Sequence, residues 1–152
     1  SEHYAQVAEA KIREGWQVWL FGSKNDHAVG EEIRGRLIPG LREESSNLSG
    51  ETSLAEAIDL LSCADSVVSN DSGLMHVAAA LNRPLVAVYG STSPGFTPPL
   101  ADRVEVVRLG IECSPCFDRP CRFGHYNCLR QLLPQPVNEA LQRLQGTVVE
   151  VQ

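Results

Sequence analysis

Apolar residues recur at helical spacing from Tyr4 to Arg13, at Tyr4, Val7, Ala8 and Ile12, and predict an amphipathic helix that Gly15 closes as a C-terminal cap. The pattern then changes to a short apolar run, WQVWLFG (Trp16 to Gly22), which predicts a buried strand. Residues 24–37 return to helical spacing, with Val29, Ile33 and Leu37 on one face. NLSGETS supplies loop and N-cap residues ahead of a third helix marked by Leu54, Ala57, Ile58 and Leu61. DSVVS (Asp65 to Ser69) predicts a strand, GLMHVAAAL the helix after it, and RPLVAVYG a strand apolar enough to be covered on both faces. GSTSPGFTPP is too rich in breakers to be anything but loop. RVEVVRL (Arg103 to Leu109) predicts a fourth strand, and Val137, Ala140, Leu141 and Leu144 a last helix, while the tail TVVEVQ has no assignment.

Strands alternating with helices of this length point to an α/β fold, a doubly wound parallel sheet with helices on both sides. At 152 residues the chain has room for one domain with a real core, so residues 1–152 are expected to form a single unit. It opens inside a helix, whereas doubly wound domains normally open with a strand; the first strand and its loop are therefore expected to be missing from this sequence. Trp16 and Trp19 fall inside the first predicted strand and are expected to pack in the core rather than stack on a sugar. Cys63, alone in an apolar helix, is likewise expected in the core.

A net charge of -6 with 13 Lys plus Arg leaves no basic stripe to displace counterions, so nucleic acid is not an expected partner. Apolar runs fall well short of the roughly 20 residues that span a bilayer, and SEHYAQVAEA lacks the regions of a secretory signal. The expectation is a cytoplasmic protein that is not transmembrane.

In an open parallel sheet the ligand crevice lies beyond the carboxyl ends of the strands. Three predicted loops should meet there: GSKND, NDSG and GSTSP. At Ser69 to Leu81, SNDSGLMHVAAAL, a strand turns into a helix whose first N–H groups and dipole suit a diphosphate. Gly73 permits close approach, the Ser72 hydroxyl adds a donor, Asp71 is suited to accept hydrogen bonds from sugar hydroxyls, and His76 can donate to either. The alternative is that Asp71 or Ser72 merely caps the helix and His76 is a polar neighbour. G-x-G-x-x-G and the Walker lysine motif are both absent, which disfavours a nicotinamide or ATP-hydrolysing site.

Cys113, Cys116, Cys121 and Cys128 form C-x2-C-x4-C-x6-C. Four thiolates so close in sequence can surround Zn or Fe as a structural site, with His125 able to replace one ligand; free thiols and disulfides are the alternatives. Arg119, Arg122 and Arg130 nearby read as solvated charges before they read as a lipid-facing surface.

The block VVSNDSGLMHVAAALNRPLVAVYGSTSPGFTPPL, with EGWQVWLFGSKND, NLSGETSLAEAIDLL and the CSPC…C…NCL segment, resembles the C-terminal domain of the bacterial ADP-heptose:lipopolysaccharide heptosyltransferases, most closely the heptosyltransferase II branch. The resemblance implies the C-terminal half of a GT-B glycosyltransferase, two Rossmann-like domains facing a cleft. It also implies inverting transfer of heptose from ADP-heptose to the inner core of lipopolysaccharide. Asp71 would then contact heptose hydroxyls, Ser72 and Gly73 with the backbone at Leu74 the diphosphate, and His76 the sugar or phosphate. Thr52 would stand where the adenine packs on backbone, and Ser23, Lys24 and Asp26 in the loop that reaches the ribose, with Asp26 the better candidate. The general base is expected from an N-terminal domain, no cofactor is required, and these residues alone are expected to be inactive. The work would be cytoplasmic, with a peripheral position at the inner face of the inner membrane left open. A nucleotide-sugar epimerase and a non-catalytic nucleotide- or metal-binding module are the rival readings.

Overall fold

The structure is a computed structural model that describes residues 1–146; TVVEVQ lies outside the described residues. The chain divides into two compact units, residues up to Asp59 and residues from Leu60 on.

In the first unit, helix α1 (Glu2–Arg13) buries Val7, Ala8 and Ile12, as their spacing predicts, and Ala5 besides, while Tyr4, the fourth residue of the predicted stripe, is half-buried. Gly15 ends it in the left-handed region at φ +92°, and the Gly15 and Trp16 N–H groups return to the carbonyls of Ile12 and Lys11 at 2.9 and 3.1 Å. Strand β1 (Val18–Leu20) is followed by a 3-10 turn at Lys24–Asp26, helix α2 (His27–Arg36), a short helix α3 (Pro39–Arg42) and strand β2 (Ser45–Asn47). β1 and β2 pair in parallel, Val18 opposite Ser45 and Leu20 opposite Asn47. Ala8, Ile12 and Leu37 form the core of this unit, with Val18 and Leu41 packed against it.

Helix α4 (Leu54–Ser62) carries the boundary between the units. The second unit holds β3 (Val67–Asn70), α5 (Gly73–Ala80), β4 (Leu85–Tyr89), β5 (Val104–Arg108), α6 (Asn127–Arg130) and α7 (Pro134–Gly146). The strands form a parallel sheet in the order β3-β4-β5. All five residues of the central strand β4 are buried, as the unbroken apolar run requires. Leu85, Ala87 and Tyr89 join Met75, Ala78 and Ala79 of α5 in one cluster. Alternation turns Val86 and Val88 to the opposite face, where they are also buried. Helix α7 packs on β4 and β5 and buries Val137, Ala140, Leu141 and Leu144, the four residues expected.

Several expectations are corrected. Trp16 precedes β1, and Trp19 is 37% exposed, so Trp19 is not a core residue: β1 is half-buried, exposed, half-buried along its three residues, and alternation puts Trp19 on the exposed face. Cys63 follows the end of α4 and is exposed, because that position falls off the buried Ala57 and Leu61 stripe. Val29 is 46% exposed, because α2 buries the Gly30 and Ile33 side of the helix and residues 24–26 form a separate 3-10 turn.

Candidate functional site

In the second unit, β3 and β4 run side by side and deliver two loops to their carboxyl ends, NDSG after β3 and GSTSP after β4. One hydrogen bond ties the NDSG turn to β4 and a second ties it to the loop after β4. The Asp71 N–H donates to the Val88 carbonyl at 3.2 Å, and Thr97 Oγ1 donates to Asp71 Oδ2 at 3.0 Å. A cleft of about 110 Å³ opens beside them, lined by Asn70, Asp71, Val88, Gly90, Ser91 and Leu129 among others. A larger open cleft of about 440 Å³ lies at the other end of α5, where Asp102 is the one charged residue among alanine, proline, leucine and asparagine. It offers nothing suited to a diphosphate.

The helix start is the decisive detail. Ser72 occupies the N-cap of α5 in extended backbone, yet makes no side-chain cap hydrogen bond. Its hydroxyl lies 3.3 Å from that of Ser69, and the Asp71 carboxylate is taken up by Thr97. Neither side chain caps the helix, so the alternative that these residues serve only as caps does not describe this site. Within the first turn the Met75 N–H returns to the Ser72 carbonyl at 3.2 Å, and a helix start presents its remaining N–H groups and the positive end of its dipole to whatever stands before it. A Cβ built on Gly73 would meet nothing of the protein within 4 Å, so packing within the chain does not demand glycine there. Ser72 and His76 are exposed, Asp71 and Leu74 half-buried, and all four stand on this one turn or just ahead of it.

Tyr89, the last residue of β4, lies in the core cluster with α5 and reaches the loop beyond its own strand. Its hydroxyl donates to the Thr97 carbonyl at 2.5 Å, and burial together with the neighbouring Asp71 charge pushes the phenol above its ordinary value, partly offset by the Thr97 hydrogen bond.

Ser23, Asp26 and Thr52 belong to the first unit. The Ser23 N–H and Oγ both donate to Asp26 Oδ2, at 2.8 and 2.6 Å, and these bonds hold the exposed Asp26 carboxyl below its ordinary value. The Gly50 N–H donates to the Gly22 carbonyl at 3.0 Å, which sets the loop of Ser23 and Asp26 beside the turn that leads to Thr52. The approach is close: Gly50 has φ +76°, and a Cβ there would lie 2.6 Å from Lys24 Cα. Ser53 and Glu56 then form a capping box at the start of α4, with the Ser53 N–H and Oγ donating to Glu56 at 2.8 and 2.7 Å. The candidate residues therefore fall into two groups, one in each unit.

The late cysteines are not joined in disulfides. Backbone N–H groups of Tyr126, Phe123, His125 and Gly124 surround the Cys121 sulfur and lower its pKa, whereas burial, followed by the charges of Cys113, Cys116 and Cys121, raises that of Cys128. His125 Nδ1 lies 4.0 Å from Cys121 Sγ but accepts the Asn127 N–H at 3.0 Å. Among the described residues, no three His, Cys, Asp or Glu are gathered so as to hold a metal ion. Arg122 pairs with Asp118 at 2.5 Å, and Arg130 lies over the Tyr126 ring. No described helix is long and apolar enough to cross a membrane.

Thr97, Tyr89 and Leu129 are the residues of this site that the sequence does not mark. Thr97 sits in a loop of breakers, 26 positions from the carboxylate it holds.

The profile of glycosyltransferase family 9 (heptosyltransferase) matches residues 1–127. The chain is 57% identical over 107 residues to lipooligosaccharide heptosyltransferase 2 of Haemophilus influenzae, covering 70% of this chain and 31% of that protein. It is 46% identical over 142 residues to lipopolysaccharide heptosyltransferase 2 of Escherichia coli, covering 93% and 41%. The solved structure of E. coli ADP-heptose lps heptosyltransferase II superposes with a TM-score of 0.83 at 46% identity, over 93% of this chain and 40% of that one. The chain thus spans about two fifths or less of the length of these relatives.

Proposed function

The chain belongs to glycosyltransferase family 9, and from that premise we propose that it binds ADP-heptose for transfer of the heptose to the inner core of lipopolysaccharide. The observation that carries the proposal is the start of α5: an uncapped first turn, open space over Gly73 and a carboxylate immediately ahead of it. Those three features suit a diphosphate joined to a polyhydroxylated sugar. The first-turn N–H groups and the Ser72 hydroxyl hold the diphosphate, with the Leu74 backbone following; Asp71 accepts from sugar hydroxyls, and His76 donates to sugar or phosphate. In the first unit, Asp26 and Ser23 serve the ribose and Thr52 the adenine. Residues 1–152 act together as one donor-binding domain in this reading.

Transfer is proposed as inverting displacement. The acceptor oxygen bonds to the anomeric carbon as the bond to the β-phosphate oxygen breaks, the acceptor proton passes to a general base, and ADP departs with the electron pair. Negative charge grows on the leaving phosphate, where fixed N–H donors of a helix start lower the barrier more than they favour the ground state. The chemistry involves no redox step and calls for no cofactor. The acceptor is a lipid-borne saccharide, so the proposal includes cytoplasmic work at the inner face of the inner membrane. A structural metal on Cys113, Cys116, Cys121 and Cys128 would need the loop to draw together, and no step runs through it. An epimerase finds no support among the relatives, whose names are those of heptosyltransferases.

Calorimetric titration with ADP and with ADP-heptose tests the proposal, beside an Asp71→Ala variant. Tighter binding of the sugar form that the variant loses is the expected result. Equal affinity for both ligands in the unaltered chain would refute the sugar assignment.

A further inference from the structure

Among the described residues, the Asp71 carboxylate is held by one side chain, whose own position is fixed by the core. Thr97 Oγ1 lies 3.0 Å from Asp71 Oδ2 and 3.4 Å from the Ser93 carbonyl. A hydroxyl has one proton to give, and the nearer, charged acceptor takes it. The Thr97 backbone is anchored twice: its N–H donates to the Ser93 carbonyl at 3.2 Å, and its carbonyl accepts from the Tyr89 hydroxyl at 2.5 Å. Tyr89 is 1% exposed, sits in the cluster of β4 and α5, and places its hydroxyl 3.5 Å from Met75 Sδ. A continuous path of contacts therefore runs from the core through Tyr89 and Thr97 to Asp71.

We infer that Thr97 is a positioning residue for donor selectivity: by fixing Oδ2 of Asp71 it turns Oδ1 outward to accept hydrogen bonds from the hydroxyls of the nucleotide-linked sugar. The inference rests on the proposal that Asp71 reads that sugar. It assigns a role to a residue outside the NDSG turn, from a loop contributed by the next strand. Without the Thr97 hydroxyl the carboxylate rotates freely and hydrates, so the sugar loses a fixed acceptor. The diphosphate, held by backbone N–H groups of α5, is unaffected. A general loosening of the fold would weaken both ligands alike, which separates positioning from structural support.

The test compares the chain with Thr97→Val, which keeps the shape and removes the hydroxyl, and Thr97→Ser, which keeps the hydroxyl. Calorimetry with ADP and with ADP-heptose gives the preference for the sugar form. Thr97→Val is expected to lower that preference about tenfold, the scale of a hydrogen bond to a charged group, with ADP affinity held within about twofold. Thr97→Ser should restore it. An unchanged preference in Thr97→Val overturns the inference and leaves the reading of Asp71 intact. An unaltered chain that binds ADP without preferring ADP-heptose overturns that reading, and the inference with it. If the chain takes up neither ligand, three-bond NMR couplings report the Asp71 χ1 directly. A single rotamer in the unaltered chain and Thr97→Ser, averaged in Thr97→Val, supports the inference; identical couplings in all three overturn it.

Discussion

A Cβ added to Gly90 would fall 2.6 Å from Leu129 Cγ and 2.8 Å from its Cδ2, so the residue after β4 and the side chain from α6 meet at a distance that only glycine permits. Cγ is the branch point of leucine, and turning the methyl groups does not relieve the contact. Gly90→Ala is expected to destabilise the chain by about 1–3 kcal/mol, the range for overpacking. Adding Leu129→Ala should recover most of the loss. Denaturant midpoints of the two single variants and the double variant check this; additive losses would refute it.

Gly73→Ala separates folding from binding. The added methyl meets no protein atom within 4 Å, and Gly73 is not among the residues with positive φ. The thermal midpoint is expected to hold or to rise by the equivalent of about 0.4–1 kcal/mol, because alanine has less freedom to lose than glycine. If the proposed diphosphate site is right, ADP affinity is expected to drop by about tenfold or more, since the methyl would enter the open space over Gly73. A variant of ordinary stability that binds ADP normally would show that the helix start is not the phosphate site.

The Glu56 carboxyl is held below its ordinary 4.5 by hydrogen bonds from the Ser53 backbone N–H and then its hydroxyl. A folded value lower than the unfolded one means that its contribution is complete above the unfolded value and vanishes as pH falls through the folded one. Urea midpoints measured from about pH 5 downward should therefore fall less steeply for Glu56→Gln than for the unaltered chain. Parallel profiles would show that the capping box contributes nothing to acid sensitivity.

The cysteine loop gives a chemical prediction. Backbone N–H groups stabilise the Cys121 thiolate below the ordinary 9.0, while burial and neighbouring thiols raise Cys128 above it. The thiolate is the nucleophile, so iodoacetamide near neutral pH should label Cys121 well before Cys128, by peptide mass mapping. Equal rates would contradict the surroundings described for the two sulfurs.

How far the sequence could be read depended on how much of an element's burial its own residues declare. β4 is five apolar residues in a row, and its place at the centre of a parallel sheet follows from that alone. β2 is Ser-Ser-Asn; Ser45 is 3% exposed because β1 pairs with it, a fact its composition does not carry. Trp19 reads as core because it stands in an apolar run, but it is the middle residue of a three-residue strand whose exposed face it takes. The turn of Asp71, Ser72 and Gly73 into α5 was legible because a strand end followed by N-cap residues has a local pattern. Thr97 was not, because a tertiary hydrogen bond between two loops leaves no local pattern.

The Tyr89 hydroxyl joins the end of a rigid strand to the backbone of the loop beyond it. Ordering that loop is then part of folding and precedes any encounter with ligand. Binding an ordered site forfeits less conformational entropy than binding one that must be assembled, so the same contacts hold the ligand more tightly. A buried phenol thereby acts on the loop that holds Asp71 through its fold alone.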